Sequence, residues 1–467
     1  MALSRRTVVN SGTAIVAGFR GLKCFIQNAD ASSNPMTLAG YGTLQQDPAK
    51  VLDLPKDFTY KVISTRGELM DDGLYVPGQH DGMGAFSGPE GKVILVRNHE
   101  LNPSHDKHSA FGPNLRKWAK YDNRYAYDAG TKGQLGGYGG TTTILYDPKK
   151  HMVEKHFLSL AGTEWNCAGG VTPWGSWISC EETVALKNSI YSKDHGYNFE
   201  VPAKIEKVLN PKPLIEMGRF RHEAVAIEPK SGIVYQTEDR HDGLIYRFIP
   251  REKGNLSSGG RLQALCIQQY DSMDTRNWKG NGQRKSPNMP ISKWIQTKWV
   301  TINDVESPDD SLRKQGFAKG AALFARSEGI WYGNNSLYWA CTNGGPYMKG
   351  QIFRYIPSPY EGTLRENTKP GLLQLYIQSH SSKIIENCDN LTVSPWGDLF
   401  ICEDHQGSCG IVRVTQKGQI SKFAENHYSN SELAGACFSP DGNTFFVNLQ
   451  KDGLTLAING PWNQNRY

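Results

Sequence analysis

One pattern recurs six times along this chain and restricts its fold more than any other feature. A strand-like run meets a Pro/Gly turn, and a second β-rich run follows. Three copies align at once: Cys167 to Glu182 (CAGGVTPWGSWISCEE), Glu223 to Asp239 (EAVAIEPKSGIVYQTED) and Asp389 to Asp404 (DNLTVSPWGDLFICED). In each, an acidic pair begins six residues after the turn glycine, at Glu181-Glu182, Glu238-Asp239 and Glu403-Asp404. Weaker copies run from Asp81 to Glu100, Glu328 to Asn343 and Glu432 to Asn448. Each copy reads as a β-hairpin with a tight turn. Six copies predict an all-β fold, a six-bladed β-propeller in which each copy supplies the two inner strands of a blade. A β-sandwich with similar hairpins explains the regular spacing less well. Non-repeating stretches at about 101–135 and 250–320 read as long inserted loops over one face of a single domain, residues 32–467.

The same repeat points to a metal site. A hairpin brings together residues equidistant from its turn. The inner strands of a propeller line a central channel, so six hairpins deliver two rings of side chains to one mouth. The first ring is Asp81, Cys167, Glu223, Glu328, Asp389 and Glu432. The second draws on Arg97 or Asn98, Glu181 or Glu182, Glu238 or Asp239, Thr342 or Asn343, Glu403 or Asp404, and Asn448, with Glu100 as a further acid. So many carboxylates at one point repel unless cations neutralise them. Hard oxygen ligands suit Ca²⁺ or Mg²⁺. Cys167 is the odd member, because a thiolate suits iron or zinc and not calcium. A mixed site of a transition metal beside hard cations is the reading. His80, His99 and His222 neighbour ring acids and, by strand alternation, point the other way, as packing or supporting groups.

Composition excludes the main alternatives. Apolar residues are 38% and charged residues 21%, values of a folded globular chain. No apolar stretch is long enough to span a bilayer, so no stable membrane insertion is expected. The net charge of +6 carries no basic stripe for nucleic acid. Arg5-Arg6 near the start, a mildly apolar segment and Ala29-Asp30-Ala31 read as a twin-arginine export leader over residues 1–31. That leader predicts a periplasmic or extracellular protein and the twin-arginine translocation machinery as partner. Its removal takes Arg5, Arg6, Arg20, Lys23 and Asp30 and lowers the net charge to +3. The cysteines form no CxxC and no small-protein disulfide framework.

Long segments resemble the PhoX-type alkaline phosphatases. They are HDGMGAF (80–86), VRNHE (96–100), NCAGGVTPWGSWISCEE (166–182), GRFRHEAVAIEP (218–229), YQTEDRHDGLIYRF (235–248), ENCDNLTVSPWGDLFICED (386–404) and LAGACFSPDGNTFFVNLQ (433–450). The resemblance implies a six-bladed propeller with Fe³⁺ and Ca²⁺ at the channel mouth, an oxo-bridged iron pair, and hydrolysis of phosphate monoesters after twin-arginine export. The family's cysteine ligand falls on Cys167, and its acidic ligands fall among Glu181, Glu182, Glu223, Glu328, Asp389 and Glu403. The chain departs from the pattern at Cys388, where proline is expected.

The expected activity is therefore that of an exported metal-dependent phosphatase acting on small phosphorylated substrates. Arg240 and Arg326, each two residues from a ring acid, are candidates for holding phosphoryl charge, with Glu223 as a further catalytic candidate. A calcium-dependent lactonase or esterase propeller is the alternative enzyme, and a binding propeller with structural calcium the non-enzymatic one. Neither needs a thiolate.

Overall fold

The computed structural model describes residues 40–131, 134–279 and 286–462. The expected leader, residues 1–31, lies outside them. All six repeats form antiparallel hairpins. They are β1 (His80–Ser87) with β2 (Val93–His99), β3 (Asn166–Val171) with β4 (Ser176–Glu181), and β5 (His222–Ile227) with β6 (Val234–Glu238). Then come β7 (Ser327–Gly333) with β8 (Ser336–Cys341), β9 (Cys388–Val393) with β10 (Leu399–Glu403), and β11 (Leu433–Phe438) with β12 (Thr444–Leu449). The turn glycines Gly175, Gly232 and Gly397 hold φ of 88°, 75° and 95°, which side-chain-bearing residues rarely adopt.

The first strands of the hairpins neighbour one another in a closed ring, β1 to β3 to β5 to β7 to β9 to β11 and back to β1. The ring is drawn tight. A Cβ on Gly82 would stand 2.5 Å from the Cα of Ala168, so only glycine fits there. An early and a late segment meet in one sheet. Thr59–Thr65 pairs with Leu454–Asn459, the strand that follows β12. Large aromatic clusters such as Phe400, Phe423, Phe438, Phe445 and Trp462 fill the space between neighbouring sheets.

The result is an all-β, propeller-like arrangement, but its hydrogen bonding departs from six separate blades. Five sheets carry the six hairpins. Hairpins β5–β6 and β7–β8 lie at opposite edges of one nine-stranded sheet. The link is Trp294–Thr301, which pairs with Asn255–Ile267 on one side and Leu372–Gln378 on the other. It covers two strand edges that would otherwise be open. The stretch 250–320, read as an inserted loop, thus contributes sheet as well as the short helix Leu312–Ala318. The stretch 101–135 is built largely of single 3₁₀ turns.

Candidate metal centre

Every first strand slips register at the same place. The slips lie between His80 and Met83, Asn166 and Gly169, and His222 and Val225. They recur between Ser327 and Ile330, Cys388 and Leu391, and Ala434 and Cys437. A bulge leaves a residue outside the ladder and re-aims its side chain. The first residue inside each slip is Asp81, Cys167, Glu223, Glu328, Asp389 and Gly435. Five of these are the expected first ring. The sixth is a correction: Gly435 occupies the register place, and Glu432 stands before the strand, paired with Lys451 at 3.4 Å.

The five side chains converge. Ligand atoms of Asp81, Glu100 and Cys167 lie within 4.8 Å of one another. The same holds for Cys167, Glu182 and Glu223, and for Glu223, Glu328 and Asp389. Cys167 and Glu223 each belong to two triads, so the three form one continuous run. Inside it, the Cys167 thiol donates to Glu223 Oε1 at 3.2 Å. The Gln450 amide donates to Asp81 Oδ2 at 2.8 Å and to Glu100 Oε2 at 2.7 Å. The Thr342 hydroxyl donates to Glu328 Oε1 at 2.8 Å. Of the second ring, Glu100 and Glu182 join these triads, while Arg97 and Asn98 do not.

The second ring also resolves which acid of each pair faces the mouth. Glu181 and Glu403, both expected ligands, are placed inside the sheets. Glu181 is fully buried and accepts from the backbone N–H of Glu164, Gly196 and Tyr197 and from His195 Nδ1 at 2.7 Å. Glu403 accepts from the N–H of Glu386 and Gly410 and pairs with Lys422 at 2.8 Å. The residues opposite the bulges are locked into the ladder, and their chain neighbours turn inward. Thus Glu182 reaches a triad, Asp239 binds Arg326, and Asp404 lies near Asp81 and Asp389.

Neighbouring hairpins fix the bulges. The Asn98 amide donates to the carbonyls of Cys167 and Ala168, at 3.2 and 2.6 Å. Asn448 donates to the carbonyl of Asp81 at 2.6 Å, and the Thr342 hydroxyl lies 3.0 Å from that of Cys388, sharing its one proton between it and Glu328. The three histidines are buried supports. His80 binds the carbonyl of Pro77, His99 that of Gly78 and His222 that of Gly218. Burial holds all three below the ordinary histidine range, hence neutral.

The electrostatics follow from packing acids away from water. Burial first, and neighbouring carboxylates second, hold Glu100, Glu223, Glu328 and Asp389 well above the carboxylate range. Burial pushes Asp81 up to about 7 and Glu182 to about 8, and it raises the Cys167 thiol as well. Two arginines stand against this charge. Arg326 bridges Glu328 at 3.0 Å and Asp239 at 2.8 Å. Arg221, which the sequence analysis missed, approaches Glu182 at 3.5 Å. Arg240 has its guanidinium paired with Asp310 and joins no triad.

Two cationic side chains do not neutralise so many acids, and among the described residues Glu223 Oε2 is buried without any donor. An acceptor in that state costs a folded protein free energy unless something positive meets it. The donor set of hard carboxylates with one thiol suits the mixed cations expected from the sequence.

Ring and site together define an all-β, propeller-like protein with an acidic, thiol-bearing mouth. The model of the family described as alkaline phosphatase PhoX matches residues 39–453. The chain belongs to that family, and is a phosphatase, a hydrolase. Among solved structures, Pseudomonas fluorescens PhoX in complex with vanadate, a transition state analogue, is similar with a TM-score of 0.63 and 16% identity over 88% of this chain and 96% of that one. A putative gluconolactonase matches at 0.38 with 10% identity, over 90% of this chain and 98% of its own. A gluconolactonase from Xanthomonas campestris matches at 0.41 with 9% identity, over 87% and 97%. Likeness as weak as these last two carries no argument. No curated protein sequence matches the chain significantly.

Proposed function

We propose that this phosphatase hydrolyses phosphate monoesters at the mouth of the ring, which we read as six blades with two of them fused at the edge. The proposed ligands for iron and calcium are Asp81, Glu100, Cys167, Glu182, Glu223, Glu328 and Asp389. The observation that carries the reading is the continuous run of three triads with the unpartnered Glu223 Oε2 at its centre. Cations bound there would supply positive charge to the phosphoryl oxygens and activate water for attack.

The chain's own residues set the stage for that chemistry. Gln450 spends its amide N–H donors on Asp81 and Glu100, and Thr342 its hydroxyl on Glu328, which fixes how each carboxylate presents its other oxygen. Arg326, held by Asp239 and Glu328, offers a fixed positive group to charge developing on phosphorus-bound oxygen. Arg221 is the second candidate, exposed enough to meet a ligand. Export rests on the paired arginines and the following segment, residues 1–31, with the translocation machinery as partner. Among the described residues no helix is long and apolar enough to cross a membrane.

The test is elemental analysis of protein purified with its native metals, paired with p-nitrophenyl phosphate hydrolysis before and after exhaustive chelation. Iron and calcium with chelator-sensitive hydrolysis is the expected result. Full activity in protein shown to hold no metal would contradict it.

A further inference from the structure

A cavity of about 660 Å³ lies away from the mouth, against the outer edge of the sheet that β1 and β2 begin. In that sheet Gly139–Asp147 pairs with β2, and Met152–Thr163 pairs with Gly139–Asp147 as the outermost strand. Three strand spacings, roughly 14 Å, separate that strand from β1. The cavity is walled by residues of this outermost strand and by the segments 71–74, 116–121 and 206–208, and it shares no residue with the three triads. Its size is that of a small-molecule site, about 300–1,000 Å³.

The floor is apolar. Leu74, Phe157, Leu158 and Val208 line it, with the ring of Tyr121. Tyr121 stacks on Trp118 at 5.5 Å, and its hydroxyl donates to the carbonyl of Tyr125 at 3.2 Å, so what it offers the cavity is carbon surface. Around this floor stand Arg116, Lys117, Lys120, Lys155 and Lys207. Arg116 donates to the Tyr75 hydroxyl at 2.7 Å, Lys117 to the carbonyl of Gly73, and Lys155 to the carbonyl of Glu206 at 3.5 Å, all of them neutral acceptors. Among the described residues none of the five cations pairs with a carboxylate. Lys155 also lies 5.1 Å from the centre of the Phe157 ring, which sets a positive charge over the floor. Asp71, Asp72 and Glu206 line the cavity as well, but the first two are spent on the backbone. Asp71 accepts from the His156 N–H at 2.7 Å, and Asp72 from those of Leu158 at 2.7 Å and Leu74 at 3.0 Å.

We infer that this cavity is a second binding site, distinct from the mouth, for a small amphiphilic anion: a hydrocarbon chain with one anionic head. The chain covers Leu74, Phe157, Leu158 and Val208, and burial of its carbons drives binding. The floor holds no polar atom for a heteroatom, so the body is plain hydrocarbon. The head meets Lys120 and Lys155 at the rim, where the excess of cations favours negative charge. The site stands whether or not the phosphatase reading holds, since it uses none of the same residues.

The experiment is calorimetric titration of the full protein, purified with its native metals, with octane-1-sulfonate, an anion that a phosphatase cannot hydrolyse. Octyltrimethylammonium, of the same chain and opposite charge, is the comparison. Wild type should bind one octanesulfonate saturably and no octyltrimethylammonium. Reversing two exposed charges should weaken binding roughly tenfold, so that is the loss expected of the Lys120→Glu, Lys155→Glu double variant. Val208→Asp, which puts a charge on the floor, should lose binding. Lys149→Glu, on the exposed turn outside the cavity, should bind as wild type does. The lysine variant lies at the rim and tests the idea even if Val208→Asp fails to fold. Octanesulfonate should also leave p-nitrophenyl phosphate hydrolysis uninhibited at concentrations that fill the cavity. No saturable binding up to about 1 mM overturns the inference. So does equal binding by wild type and the lysine variant, or equal binding of the two probes. Competitive inhibition with a constant equal to the calorimetric Kd would place the probe at the mouth and overturn it as well.

Discussion

Glu181 and Glu182 are chain neighbours of identical chemistry with opposite fates, as are Glu403 and Asp404. Glu181 sits in a cage of three backbone N–H groups and His195, so its charge is answered within the protein. Glu182 shares a triad with Cys167 and Glu223 and is held up near 8 by burial, with only a long contact to Arg221. The difference teaches that acidity alone does not make a ligand. What matters is whether the backbone has already supplied the donors. In the second hairpin the residue opposite the bulge, Glu181, is spent on architecture, and the next residue, Glu182, is left for an external cation.

The largest expected effect comes from the site side of that comparison. Cys167→Ser should lose iron and reduce turnover at least about a hundredfold, since a neutral hydroxyl is a much weaker ligand than a thiolate. The control is Cys180→Ser, at a thiol packed among apolar side chains. It should cost stability, about 1–3 kcal/mol, and keep its iron. Metal content by elemental analysis and p-nitrophenyl phosphate turnover read both. Iron kept by Cys167→Ser and lost by Cys180→Ser would reverse the comparison.

On the architectural side, Glu181→Gln leaves the buried His195 with Asp128 as its remaining acidic partner. Breaking such a buried pair costs about 3–5 kcal/mol. The expected outcome is a lower denaturation midpoint with metals retained in the fraction that folds. An unchanged midpoint would remove Glu181 from the framework.

pH sharpens the contrast in another way. Unfolded carboxyls titrate near 4. In the folded metal-free protein Asp81 rises to about 7, and Glu182 and Glu432 to about 8. The folded state therefore binds more protons over that interval, and stability falls as pH rises from about 4 to 8. Cations compete with those protons, so they bind better as pH rises. Melting of chelated protein should drop from pH 5 to pH 8, and added calcium should raise it more at pH 8. A flat profile without metal would mean that these acids are already neutralised by the chain.

The smallest effect is at Thr342, whose hydroxyl bonds both Glu328 Oε1 and the carbonyl of Cys388. Thr342→Val keeps the shape and should cost about 1 kcal/mol with a few-fold loss of turnover, measured by denaturant melts and steady-state kinetics.

The sequence made much of this visible for a physical reason. The hairpin repeat is local, so its turns and alternation can be read along the chain, and Asp81, Cys167, Glu223, Glu328 and Asp389 stand at one register within it. What stayed hidden depends on contacts between hairpins. Strand alternation says that Glu181 and Glu182 face opposite ways, but a bulge decides which one faces in, and a bulge has no signature in these residues. The same slip puts Gly435 where Glu432 was expected. Gln450, Asn98 and Asn448 are ordinary polar residues until the ring closes and brings them against Asp81, Glu100 and Cys167. The fusion of two hairpins into one sheet depends on Trp294–Thr301, whose partners lie far along the chain.

The most direct measurement is elemental analysis of three folded proteins side by side: wild type, Glu182→Gln and Glu181→Gln, each purified with native metals. The account predicts iron and calcium in wild type, a clear loss in Glu182→Gln, and wild-type content in whatever part of Glu181→Gln folds. Wild type without metal, or loss in Glu181→Gln with full retention in Glu182→Gln, would contradict it.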